Sequence, residues 1–188
     1  MTHILLASKS PRRRELIASL GLEYSIVDID VNEHVAVLPP ASQVAQLLAE
    51  RKSQGYVTPL QPGQVLLTAD TVVVHNDRIL GKPHTRETAV AMLHDLSDDV
   101  HQVYTGVCLR SLKRTVSFTE CTHVRFRHLS EEVIDYYIDN YKPYDKAGAY
   151  GIQEWIGMVG VERIEGCFYN VMGLPVGRLY EALKQIAE

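Results

Sequence analysis

Hydrophobic positions along the chain fall into continuous runs, strict alternations and helical stripes, and each pattern predicts an element. Leu5-Leu6-Ala7 is a short apolar run that breaks into Ser8-Lys9-Ser10 and then opens a helix, with Ser10 as N-cap and Pro11 at the first helical position. Leu16, Ile17 and Leu20 recur at helical spacing, and Gly21 supplies the stop. Tyr24 to Ile29 predicts a strand. Past Pro39-Pro40, Ser42 is the expected cap of a helix carrying Val44, Leu47 and Leu48 and ending near Gly55. Gln64 to Val74 is the most apolar stretch, and its β-branched content and length predict a strand buried on both faces. A tight hairpin turn at His75-Asn76-Asp77-Arg78 returns the chain through Ile79-Leu80.

The second half follows the same logic. Thr85 caps a helix with Ala89, Met92, Leu93 and Leu96 in one stripe, and Ser130 starts another with Ile134, Tyr137, Ile138 and Tyr141, closed by Pro143. Between them Val100 to Arg110 and Thr115 to Arg127 read as two long antiparallel strands. In the latter Val116, Phe118, Glu120, Thr122, Val124 and Phe126 share one face. Asp145 to Gln153 has no period and reads as a binding loop, Val159 to Ile164 as a strand, and Val176, Leu179, Tyr180, Leu183 and Ile186 as the stripe of a closing helix. Early alternation of strands and helices followed by paired strands predicts an α/β or α+β fold with a mixed sheet. A chain of 188 residues is long enough for one sizeable core or for two lobes sharing a sheet.

Composition narrows the chemistry. A formal net charge of -4 argues against general coating of nucleic acid, so an anionic partner has to be small. Cys108, Cys121 and Cys167 form no CxxC pair, which supports neither a disulfide framework nor a zinc site and fits a reduced cytoplasmic setting. No signal segment and no membrane-length apolar run is present. The eight histidines lack metal-ligand spacing, and G-x-S-x-G, Walker and G-x-G-x-x-G patterns are absent. Serine hydrolase, zinc hydrolase and P-loop kinase chemistry therefore lose support.

Charge at particular positions is more telling. Arg12, Arg13 and Arg14 occupy the first turn of a helix, where the dipole is already positive and cations cost a few tenths of a kcal/mol each. Free amides, the Ser8 and Ser10 hydroxyls and guanidiniums together suit a polyanion, and a solvated basic turn is the alternative. Asp70 interrupts the apolar strand, so it has to find a cation, a metal or a proton; pairing with a buried arginine or capping a loop is the structural alternative to catalysis. Lys82 projects from the rigid corner Gly81-Lys82-Pro83. Arg51 and Lys52 fall at a helix end, where the dipole welcomes cations, and Asp30-Val31-Asn32-Glu33 reads as a metal site or a solvated turn.

These stretches coincide with a known pattern: Ser8-x-Ser10-Pro11-Arg12-Arg13, Ala69-Asp70-Thr71, Gly81-Lys82-Pro83, Asp145-Lys146-Ala147-Gly148-x-Tyr150-x-Ile152-Gln153 and Asn170-Val171-Met172-Gly173-Leu174-Pro175. The sequence resembles the Maf family of nucleoside triphosphate pyrophosphatases, in order, from about Leu5 to the final helix. The resemblance implies one domain over residues 1–188, an elongated α/β fold like that of the inosine triphosphatases, and two lobes around a central cleft. It implies cleavage between the α and β phosphates of dTTP and UTP, giving the monophosphate and pyrophosphate, with Mg²⁺ or Mn²⁺ as cofactor. Carried over by position, Asp70 is the catalytic base and a metal ligand with Glu33; Ser8, Arg12, Arg13, Lys52 and Lys82 hold phosphates; Thr71 and Gln153 influence base choice. The expected partner is the nucleotide, with no stable nucleic-acid or membrane binding and a homodimer left open. A nucleotide-binding regulator of cell division with weak or no turnover is the competing expectation, and the retention of Asp70, Lys82, Arg12 and Arg13 favours the enzyme.

Overall fold

A computed structural model describes residues 2–31 and 39–187. Among them lie strands β1 (His3–Leu6), β2 (Tyr24–Ile26), β3 (Gln64–His75), β4 (Arg78–Leu80), β5 (Val100–Arg110), β6 (Thr115–Phe126) and β7 (Val161–Glu165). The helices are α1 (Pro11–Ser19), α2 (Ala41–Gly55), α3 (Arg86–Leu96), α4 (Glu131–Tyr141), α5 (Trp155–Val159), α6 (Phe168–Met172) and α7 (Val176–Ala187). Among the described residues, one seven-stranded sheet has the order β2-β1-β3-β5-β6-β7, with β4 paired to β3 off that path. β1 pairs in parallel with β2 and β3, whereas β4 runs antiparallel to β3 and β7 antiparallel to β6. The fold is α/β with a mixed sheet, as the alternation of elements predicts.

By internal contacts the chain divides into two compact units: Met1–Thr71 with Thr105–Glu120 and Gly173–Glu188, and Val72–Tyr104 with Cys121–Met172. In the first, β1 and the leading half of β3 are buried along nearly every position, the burial expected of central parallel strands. α2 lies close against the sheet because Ala45, Ala49 and Ser53 form a stripe of small buried side chains facing it. On the strand side Gly106 is required: a Cβ there would sit 2.3 Å from the backbone of Ala45 and Gln46. Thr68 then donates to the Ala49 carbonyl at 2.6 Å, fixing helix and strand in one register.

In the second unit, Leu93, Leu96, Phe126, Ile134, Tyr137, Ile138 and Ile156 are among the residues that form its core. The caps read from sequence are present: Thr85 accepts from the Thr88 amide and Ser130 from the Val133 amide. The hairpin turn is present too, with His75 opposite Arg78 and both Asn76 and Asp77 at positive φ, the geometry of a type I′ turn.

Several boundaries differ from expectation. Ser42 is not the cap of α2, since Pro40 precedes the first helical residue, Ala41, and Ser42 lies inside the first turn. Ser10 is the N-cap of α1 but its side chain makes no capping bond; its backbone N–H donates to the Ser8 hydroxyl at 3.2 Å instead. β2 stops at Ile26, three residues short of the predicted end at Ile29. Val159 closes α5, so the strand predicted from it begins at Val161. The aperiodic Asp145–Gln153 stretch contains a 3-10 turn at Ala147–Ala149, and α6 stands where only a connection was read.

Candidate active site

In the first unit, α2 and β3 bring two predicted residues together. Thr68 and Asp70 lie two apart on β3 and share its α2 face; Ala49 and Lys52 lie three apart on α2 and share its β3 face. Once Thr68 is tied to Ala49, Lys52 comes over Asp70, and its ammonium donates to Oδ1 at 2.5 Å. The side chains are 14% and 16% exposed, so the ion pair is shielded yet reachable from solvent. The costly carboxylate of the apolar strand is thus offset by a lysine rather than the buried arginine considered from sequence, and Lys52 is more than a complement to the dipole at a helix end.

Thr71 faces the other way. Its hydroxyl meets that of Thr105 on the adjacent strand at 2.9 Å and accepts from the Arg13 guanidinium at 2.9 Å. Arg13 also donates through Nε to the carbonyl of Gly173 at 2.8 Å and reaches the Ser8 hydroxyl at 3.5 Å. Arg14 bonds the Ser8 carbonyl through Nε and a terminal nitrogen, each at 3.4 Å. Arg13 and Arg14 therefore brace the Ser8–Ser10 turn and tie it to the segment before the last helix. Their guanidiniums offset the positive helix start by finding carbonyl and hydroxyl oxygens within the chain. Ser8 is nearly buried and Arg12 half-buried at the start of α1. A loop with an amide-rich helix start and a braced serine is suited to phosphate oxygens.

Lys82 and Gln153 belong to the second unit, and both are exposed. The corner that carries Lys82 is fixed by the Gly81 carbonyl, which accepts from the Gly148 amide at 3.1 Å. In the loop that carries Gln153, Lys146 is buried and pairs with Asp145 at 2.9 Å and Glu154 at 3.2 Å. Glu154 accepts from the Tyr137 hydroxyl, which in turn accepts from the Gly151 amide at 2.9 Å. Sequence reasoning missed Glu154 and read Tyr137 as a core residue alone; a tyrosine at the centre of an apolar stripe, with a hydroxyl needing a partner, was the available signal. Deeper in this unit His101 bonds the Tyr150 hydroxyl at 2.7 Å, and burial lowers the His101 pKa to about 3 while raising that of Tyr150.

Glu33 lies outside the described residues. Among the described residues no three His, Cys, Asp or Glu side chains gather into a metal-binding group. The Asp70 carboxylate, paired with Lys52, belongs to no three-ligand protein cage among the described residues. It fits Mg²⁺, which keeps several waters and is held by one or two carboxylates together with substrate phosphates. Chemically, Asp70 can accept a proton from water or ligate such a cation, and Lys52 beside it can neutralise phosphate charge. No helix among the described residues is long and apolar enough to cross a membrane.

Fold and side chains thus define an α/β protein with a shielded carboxylate–lysine pair and a braced, basic helix-start loop. The chain belongs to the Maf family: the model for Maf-like protein matches residues 3–186. It is 48% identical to the dTTP/UTP pyrophosphatase of Bacteroides thetaiotaomicron over 97% of this chain and 95% of the relative. It is 49% identical to the dTTP/UTP pyrophosphatase of Parabacteroides distasonis, covering 96% and 94%, and 44% identical to that of Flavobacterium johnsoniae, covering 96% and 93%. A solved nucleoside-triphosphatase / dITP/XTP pyrophosphatase from Mycobacterium abscessus aligns over 98% of both chains at 15% identity with a TM-score of 0.44, too distant to bear on fold or activity.

Proposed function

We propose that this protein is a nucleoside triphosphate pyrophosphatase that hydrolyses dTTP and UTP to the monophosphate and pyrophosphate. The observation that carries this reading is near full-length likeness, at 48% identity, to a relative bearing that name. Asp70 is the residue assigned to the chemistry, because it is a shielded carboxylate held by a lysine on an otherwise apolar strand. It takes the proton of the attacking water or ligates the divalent cation. Mg²⁺ or Mn²⁺, held by Asp70 and Glu33 together with phosphate oxygens, would supply charge neutralisation and polarise the phosphoanhydride. Ser8, Arg12, Arg13, Lys52 and Lys82 are assigned to the phosphates, with Arg13 also tying the start of α1 to Gly173 and Thr71. Thr71 and Gln153 are assigned to base choice.

The catalytic unit in this reading is one domain of residues 1–188, acting on a cytoplasmic nucleotide pool; it requires neither nucleic acid nor membrane and is compatible with a homodimer. The regulator alternative needs a lost base or phosphate cation, whereas Asp70, Lys52 and Lys82 are all in place. The deciding experiment incubates purified protein with a panel of nucleoside triphosphates and Mg²⁺ or Mn²⁺ and separates pyrophosphate from orthophosphate. Pyrophosphate released preferentially from dTTP and UTP is expected. Orthophosphate as the product, or no turnover of either nucleotide, refutes the proposal.

A further inference from the structure

We infer that Tyr137 and Glu154 are positioning residues for base selection, acting on Gln153 through the backbone of Gly151; this rests on the reading of the protein as a dTTP/UTP pyrophosphatase. An amide side chain distinguishes uracil from cytosine only if it is held one way round, because a flipped glutamine presents the opposite donor and acceptor. Gln153 is exposed at the end of a buried stretch, Gly148 to Ile152, so whatever holds it has to come from the chain beneath.

The chain beneath is an ordered relay within the second unit. The Gly151 N–H donates to Tyr137 Oη at 2.9 Å, and Tyr137 donates its own proton to Glu154 Oε2. The other carboxylate oxygen, Oε1, lies 3.2 Å from the ammonium of the buried Lys146. Tyr137 is fully buried and its ring stacks on Tyr141 at 5.2 Å, so its hydroxyl is a fixed point. Gly151 transmits that position outward: a Cβ there would lie 2.9 Å from Glu154 Cδ and 3.0 Å from Gln153 Nε2. The amide of Gln153 and the carboxylate of Glu154 thus both fold over the same bare α-carbon. Gly148 at φ 70 and Ala149 at φ 61 give this loop a backbone that depends on such ties, since alanine rarely adopts a left-handed conformation.

Removing the hydroxyl leaves the Gly151 N–H and one Glu154 oxygen without their mutual partner while preserving the ring. The test compares wild type, Tyr137→Phe and Glu154→Gln for kcat and KM with UTP and with CTP, alongside thermal midpoints. For Tyr137→Phe the UTP-to-CTP ratio of kcat/KM is expected to fall about fivefold or more, as an unpaired polar group in a recognition loop implies. The loss should come from a higher KM for UTP, with kcat for UTP within about twofold of wild type. Glu154→Gln, whose carbonyl still accepts from Tyr137, should keep an intermediate ratio, and it carries the test alone if Tyr137→Phe does not fold. A folded variant with an unchanged ratio, or with kcat for both nucleotides lowered equally, overturns the inference. Wild type that does not prefer UTP to CTP overturns instead the substrate reading beneath it.

Discussion

Replacing Arg13 by alanine separates its two roles, because the bracing role has a cost visible without any nucleotide. The guanidinium makes well-formed bonds to the Gly173 carbonyl at 2.8 Å and the Thr71 hydroxyl at 2.9 Å, while its contact with Ser8 at 3.5 Å is too long to count for much. Hydrogen bonds from a charged donor contribute about 1.5–3 kcal/mol each, and the half-buried setting of Arg13 puts both at or below the low end of that range. Arg13→Ala should therefore destabilise the protein by about 2–3 kcal/mol, or about 4–12 °C in Tm for a chain of this size. Arg13→Lys should recover less than half of that loss, since an ammonium lacks the planar fork that reaches both acceptors. Thermal unfolding followed by circular dichroism, in buffer free of nucleotide and divalent metal, reads both variants. A Tm for Arg13→Ala within about 1 °C of wild type, which corresponds to less than about 0.5 kcal/mol, would refute the bracing role and leave Arg13 with phosphate alone.

Other outcomes follow from the same geometry. Asp70→Asn should lower kcat by about 10²–10⁴-fold with little change in Tm, because the amide oxygen still accepts from Lys52; activity within tenfold of wild type removes Asp70 from the chemistry. Lys82→Ala, at an exposed corner, should leave stability within about 0.5 kcal/mol of wild type yet lower kcat/KM by roughly 10–150-fold, checked by urea unfolding and steady-state kinetics. Gly106→Val pushes into the α2 backbone and should cost about 1–3 kcal/mol or more, together with turnover, as read by urea unfolding and pyrophosphate release. His101 stays neutral in the folded state down to about pH 3 but takes a proton near pH 6.5 once unfolded, so the unfolded chain binds more protons between those values. Its contribution to stability is complete above pH 6.5 and is lost as pH falls below it, with a slope approaching about 1.4 kcal/mol per pH unit; His101→Gln should remove that slope from denaturant titrations.

Much of the architecture was legible because local chemistry and tertiary need agree. Thr85 and Ser130 begin α3 and α4 as capping rules require, and Asn76-Asp77 makes the turn that such residues favour. Ser42 misled because Pro39-Pro40 delivers the chain into a helix without a side-chain cap, so the hydroxyl was free to fall inside the first turn. The five-residue α6 has too few positions to display a period. Within the site, Asp70 announced itself as a charge in an apolar run, but its partner did not. Nothing in the order of residues says that Lys52 stands over it; that depends on Gly106 and on the small side chains of α2, which permit the helix to approach. Tyr137 was legible as a core ring whose hydroxyl needs a partner, but that partner, Glu154, was not, because periodicity reports where a side chain points and not what its hydroxyl meets.

The union of α2 with β3 behaves like two rulers of different graduation laid side by side. From Ala49 to Lys52 the helix advances about 4.5 Å, whereas from Thr68 to Asp70 the strand advances about 6.7 Å. The marks coincide at one place, and the flexible stem of a lysine absorbs the remaining offset. A change of residue type at most positions leaves the rulers aligned, whereas deleting a single residue between Ala49 and Lys52 slides one scale along the other and swings the ammonium about 100° around the helix axis. Such a site is more vulnerable to a shift of spacing than to a change of letter, and natural variation in chain length should be found outside 45–53 and 64–71.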